Sequence, residues 1–204
     1  MTLKISSTNK YSCKITAKIL KKGGIAIVPT DTVYSFIIDV FNIEAQKTLY
    51  KIKMRSLKKP FILMVHNIDT AKLFVKISYK ILNIVNKFWP GQLTLILPVT
   101  TLGKIISGGR KNLGVRIPDN DFLINLLKEI NGPAFTTSVN ITTKKSAKNI
   151  NDAMNFYDIV DVIVDGGKCR FSFESTIIDM SHFPYTIVRK GCLNVDDLSN
   201  LNNI

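Results

Sequence analysis

The sequence predicts a three-layer α/β arrangement around one sheet. Short β-branched apolar runs alternate with segments of helical period from one end of the chain to the other. The chain has 204 residues, 46% of them hydrophobic, which suits one substantial core and is short for two. No linker, repeat or low-complexity stretch interrupts it, so residues 1–204 read as one domain with its core at about 12–201.

In order, Ser12 to Lys22 carries Ile15, Ile19 and Leu20 at the spacing of one helix face and ends at Gly23-Gly24. Ile25 to Val28 is a β-branched run stopped by Pro29, followed by the polar turn Thr30-Asp31-Thr32 and a second strand over Val33 to Val40. A helix over Ile43 to Lys53, with Ile43, Leu49 and Ile52 inward, delivers the basic stretch 53–60. Phe61 to His66 is then an apolar strand. A long helical region, Thr70 to Phe88, closes at Trp89-Pro90-Gly91 and leads to a strand over Leu93 to Leu97. Further strands are read at 115–118, 134–137, 159–164, 175–178 and 186–189, with helices near 121–130 and 146–156.

Composition excludes several classes. No apolar run reaches the ~18 residues of a membrane helix, so no membrane partner is expected. The start lacks an apolar secretory region, which gives a cytoplasmic expectation. Cys13, Cys169 and Cys192 are too far apart for zinc or redox spacing and read as reduced thiols. Two histidines, His66 and His182, cannot supply a three-histidine metal site. The net charge of +13 suits anionic partners, yet a solvated basic surface explains it equally well.

The glycine-rich phosphate loop and the dinucleotide fingerprint are both absent, so a nucleotide site here must use side-chain cations and hydroxyls. Lys53, Arg55 and Lys59 fall in one turn-sized segment, where two or more can converge on a triphosphate. Alone, that cluster reads first as a solvated helix end, where lysines are favoured by the backbone dipole.

Pro29-Thr30-Asp31-Thr32-Val33-Tyr34 followed by Lys53-x-Arg55 and Lys59-Pro60 resembles the amino-terminal signature of the YrdC-like threonylcarbamoyl-adenylate synthases. The resemblance continues, in the family's order, through Trp89-Pro90-Gly91-Gln92-Leu93-Thr94, Val115-Arg116-Ile117-Pro118, Thr137-Ser138-Val139-Asn140, Glu174-Ser175-Thr176-Ile177 and Val188-Arg189-Lys190-Gly191. It implies the YrdC-like fold, with a twisted mixed sheet. It also implies a reaction in which L-threonine, bicarbonate and ATP give threonylcarbamoyl-AMP and pyrophosphate, with Mg2+ carried by the ATP phosphates. A separate transferase would use the product on adenosine 37 of ANN-decoding tRNAs, and tRNA or double-stranded RNA is a further candidate partner.

By the same resemblance Lys53 and Arg55 are the catalytic candidates. Lys53, Arg55, Lys59, Ser107, Ser138, Asn140, Ser146 and Arg189 would bind ATP, and Thr30, Arg116, Thr136 and Ser175 threonine. No residue is assigned to metal. The chain departs from the family pattern at Ser35 and Ile37, where two glycines are usual, and at Met64, where some relatives carry histidine; His66 reads as a strand-end residue. Ser107 to Asn112 is a candidate lid. Two other readings stay open: a non-catalytic RNA-binding relative, and a paralogue activating another small acid.

Overall fold

In the computed structural model, which describes residues 1–193, ten strands form one mixed sheet in the order β1-β8-β2-β3-β7-β4-β6-β5-β9-β10. The strands are β1 (Leu3–Ser6), β2 (Ala26–Val28), β3 (Ser35–Asp39), β4 (Ile62–Met64), β5 (Leu93–Pro98), β6 (Asn112–Arg116), β7 (Ala134–Ser138), β8 (Val162–Asp165), β9 (Thr176–Asp179) and β10 (Thr186–Arg189). The helices are α1 (Ser12–Lys21), α2 (Ile43–Ile52), α3 (Ile68–Phe74), α4 (Tyr79–Phe88), α5 (Thr101–Ile106), α6 (Asp121–Ile130) and α7 (Ile150–Ala153), the last continued by a 3-10 segment, Met154–Ile159. Residues 194–201, included in the expected core, lie outside the described residues.

Strand alternation divides the core in two. Phe36, Ile38, Leu63, Leu93, Leu95, Leu97 and Val115 pack on one face with Leu49 of α2, Ile84 and Val85 of α4, and Ala153 of α7. Ala26, Val28, Ile37, Val162 and Val164 point the other way, against Ala17 and Leu20 of α1 and Leu123, Leu126 and Leu127 of α6. Each Val, Leu, Ile or Phe among them, wholly removed from water, contributes about 1.5–3 kcal/mol. Helices therefore cover both faces at the β8-β2-β3 end. Farther along, the second face opens as a cavity.

Several sequence expectations are corrected. The region 70–88 is two helices, because Val75 is extended and bridges Val99, the Lys76 amide donates to Pro98 O, and Ser78 caps α4. The helix expected from Ser146 starts only at Ile150: Asn149 caps it, and the Ser146 hydroxyl donates to Glu174. The buried stripe of α1 is Thr16, Ala17 and Leu20, with Ile15 and Ile19 only partly buried. In α2, Ile43 is exposed while Ala45 and Leu49 face inward. The sheet also begins before Ser12, since β1 pairs in parallel with β8. The strands expected at 33–40 and 115–118 are in place but shifted, to Ser35–Asp39 and Asn112–Arg116.

A further helix, α5, lies close to α3. A Cβ on Gly103 would stand 1.9 Å from the Phe74 carbonyl oxygen, so glycine is what lets the two helices meet.

Candidate active site

The open face holds a cavity of about 570 Å³, within the range of small-molecule sites. Its floor comes from residues two apart on adjacent strands: Ile62 and Met64, Thr94 and Ile96, Gly114 and Arg116, Thr136 and Ser138. Alternation explains the choice, since Leu63, Leu95 and Val115 between them, and Phe135 just before Thr136, point into the helical core. Loops after β2, α2 and β7, the segment before β9, and β10 form the walls.

Lys53 closes α2 as its C-cap and is 1% exposed. Its ammonium donates to Ser138 O (2.5 Å), Asn140 O (2.9 Å) and Asn140 Oδ1 (2.5 Å). Three acceptors use all three protons, so this arrangement describes the charged amine. Burial, and after it the neighbouring Arg55 charge, pull against that charge and lower its pKa to about 7. Lys53 O accepts from the Thr142 amide and hydroxyl, so this one residue pins the loop after β7 from both ends.

The next residue, Met54, has φ +48, a left-handed turn that reverses the chain after α2. Arg55 then donates through Nε to Lys59 O (2.9 Å) and through Nη2 to Pro60 O (3.0 Å), bracing the loop that it begins. Lys58 and Lys59 stand on the same loop at the cavity wall.

Two guanidinium–carboxylate pairs flank the floor. Arg116 donates to Asp31 Oδ1 (2.6 Å) and Oδ2 (2.7 Å), to Thr32 Oγ1 (3.0 Å) and to Gly91 O (2.8 Å), and both members of the pair are buried. Gln92 adds a bond to Asp31 (3.3 Å). The second pair, Arg189 Nη1 to Glu174 Oε2 (2.5 Å), is about one-third exposed. Arg189 also donates to Ser175 O and Oγ, and Ser175 shares a hydrogen bond of 2.8 Å with Thr94. Burial raises the Glu174 carboxyl, but the Arg189 charge, hydrogen bonds from Ser146 and Ser138, and the Lys53 charge outweigh it and leave the pKa below the usual value. A Cβ on Gly191 would lie 2.3 Å from Glu174 O, so that glycine lets the chain after β10 press against the Glu174-Ser175 backbone.

Lys53, Arg55, Lys59, Arg116, Thr136, Ser138, Asn140, Ser175 and Arg189 thus all line one cavity. Three residues expected in the site do not. Thr30 is spent on its own turn, accepting from the amides of Thr32 and Val33 and donating to Val33 O, which leaves Thr32 to face the cavity. Ser146 stands behind Glu174, donating to Oε1 at 2.7 Å. Ser107 caps the end of α5, away from the lining, and donates to Lys104 O. Of the expected lid, Gly108 and Gly109 have positive φ, Arg110 donates to Leu57 O, Asn112 opens β6, and none lines the cavity. Sequence reasoning missed Glu174 as a site residue although it stood inside a recognised block; its carboxylate among Lys53, Arg55 and Arg189 was the available signal.

Among the described residues no group of three or more His, Cys, Asp or Glu could hold a metal ion, and both Glu174 in the cavity lining and Asp31 behind it are paired with guanidinium groups. No helix among them is long and apolar enough to cross a membrane.

Residues 18–191 match the family model Sua5_yciO_yrdC, described as telomere recombination. The threonylcarbamoyl-AMP synthase of Pyrococcus abyssi is 29% identical over 93% of this chain, which spans 56% of that protein. The crystal structure of P. abyssi Sua5 complexed with L-threonine superposes with a TM-score of 0.91 at 26% identity, covering 98% of this chain and 60% of that one. Escherichia coli YciO, at 22% identity and a TM-score of 0.82 over 96% of both chains, shares the fold.

Proposed function

The chain belongs to the Sua5/YciO/YrdC family, and from that premise we propose that it is a nucleotidyltransferase joining L-threonine, bicarbonate and ATP into threonylcarbamoyl-AMP. The observation that carries the reading is one cavity lined both by Lys53, Arg55, Lys59 and Arg189 and by the hydroxyls of Thr32, Thr94 and Ser175, with Arg189 bonded to Ser175 where the two sets meet. That pairs a cationic region for a polyphosphate with a hydroxyl-lined region for a small amino acid. The synthase named above and the Sua5 structure holding L-threonine support it.

In this reading the threonine amine and bicarbonate-derived CO2 form a carbamate. Its oxygen attacks the α-phosphorus of ATP and pyrophosphate leaves. The carbamate is already an anion, so the protein has little proton transfer to perform and its work is positioning and charge neutralisation. Lys53 holds the loop that carries Ser138 and Asn140. Arg55, Lys59 and Arg189 face the phosphates, and Ser175 with Thr32 faces threonine. Arg116, locked to Asp31, orients Thr32 rather than gripping substrate by itself. Among the described residues the side chains offer no carboxylate cage, so Mg2+ would be held through ATP's own phosphate oxygens and water. A transferase acting on tRNA would consume the product.

The test is incubation with ATP, Mg2+, bicarbonate and L-threonine, with pyrophosphate followed in time and threonylcarbamoyl-AMP sought by mass spectrometry. Release that needs both threonine and bicarbonate is expected. Release indifferent to threonine would move the chain to another acid substrate, and tRNA binding without turnover to a non-catalytic role.

A further inference from the structure

The two positions that depart from the family's glycine pattern, Ser35 and Ile37, lie two apart on β3 and share a face of the sheet, yet meet different surroundings. Ile37 is fully buried against α1 and α6. Ser35 lies one step nearer the strand's start, lines the cavity and is 6% exposed. In the ladder it stands opposite Ser138, whose carbonyl oxygen takes the Lys53 ammonium at 2.5 Å and whose hydroxyl donates to Asn140 Oδ1 at 3.0 Å. The neighbouring hydroxyls of Thr30, Thr94, Ser138 and Ser175 all have protein partners. Among the described residues, the Ser35 hydroxyl has none.

A hydroxyl that opens only onto a cavity and has no protein partner keeps its hydrogen-bonding capacity for what enters that cavity. We infer that Ser35 is a ligand-binding residue of this chain, donating its hydroxyl proton to a phosphate oxygen of ATP held at the corner made by Lys53, Ser138 and Asn140. The chemistry follows from the surroundings: a hydroxyl in a cavity also lined by Lys53, Arg55 and Lys59 is placed to serve an anionic oxygen, and donor bonds to such oxygens are the strong ones. This rests on the adenylation reading above and extends it to a side chain that glycine cannot supply.

The experiment is a calorimetric titration of the unsubstituted chain, Ser35→Ala and Ser35→Gly with Mg2+–ATP and, separately, with L-threonine. Thermal unfolding of each variant serves as the check on folding. Loss of the hydroxyl weakens ATP binding about tenfold in both variants and changes threonine binding less than twofold. Unchanged ATP affinity in both variants overturns the assignment, as does tighter binding by Ser35→Gly, which would make the side chain an obstacle only. No ATP binding by the unsubstituted chain would instead overturn the adenylation reading together with it.

Discussion

The two guanidinium–carboxylate pairs at the cavity look alike on paper and differ in what they can do. Arg116 and Asp31 have side chains 3% and 0% exposed, and their remaining bonds go to Thr32, Gly91 and Gln92. Arg189 and Glu174 are 32% and 29% exposed and border the open volume. A buried pair that loses one partner strands a charge in a medium that cannot solvate it, whereas a half-exposed pair can exchange its partner for water or a ligand anion. The first pair is framework. The second is open enough to exchange its partner.

The largest effect should come from breaking the framework pair. Asp31→Ala leaves the Arg116 guanidinium buried and uncompensated and should cost about 3–5 kcal/mol of stability, read as a large fall in the urea midpoint. A change under about 1 kcal/mol would show that Arg116 finds other counter-charge.

Next comes Lys53, which belongs to both worlds. Lys53→Met takes the ammonium away from Ser138 O, Asn140 O and Asn140 Oδ1, the last of which keeps the Ser138 hydroxyl, and should cost about 1–3 kcal/mol while also weakening ATP binding. With its pKa drawn down to about 7 by burial and by Arg55, the sign of its pH dependence is fixed. Between about 7 and 10.5 the unfolded chain carries a proton that the folded one sheds, so this residue makes stability rise with pH over that window. ATP affinity should fall as pH rises through about 7, and Lys53→Met should lose that limb. A flat profile to pH 9 would show that the three acceptors hold the proton against burial.

The smallest effect is expected at the exchangeable pair. Glu174→Gln should change stability by less than about 1 kcal/mol. It should also strengthen pyrophosphate binding severalfold, because Arg189 and Lys53 lose an internal competitor. Its stability difference from the unsubstituted chain should shrink as pH falls, since a carboxyl with a lowered folded pKa stabilises only while ionised. Weaker pyrophosphate binding would make Glu174 a positioning residue for Arg189.

Much of this was legible in the sequence where the signal was local. The β-branched run before Pro29, the apolar strand at 93–97, the stop at Pro29, and the basic segment after α2 are all where their chemistry placed them. The blocks at 89–94, 115–118 and 174–177 fall at one site because Gly91, Gln92 and Thr94 bond to Arg116, Asp31 and Ser175. What escaped depends on distant partners. β1 is four mostly exposed residues whose strand character comes from β8, some 160 positions away. The break at Val75 arises from pairing with Val99, against a run of apolar spacing that would otherwise continue. Thr30 was assigned to substrate on its place in a motif, and no spacing rule reveals that its hydroxyl is consumed by its own turn.

Arg189 sits at the end of β10, an edge strand that among the described residues pairs only with β9 and whose residues are largely exposed. Edge elements with little burial open first in hydrogen exchange, well before global unfolding. One cation of the site is therefore mounted on a piece of the sheet that can peel away while Lys53 and Arg116 stay fixed. Warming or mild denaturant would then disarm the site in a folded protein, and its working limit would be set by the fraying of a four-residue ribbon rather than by the melting of the core.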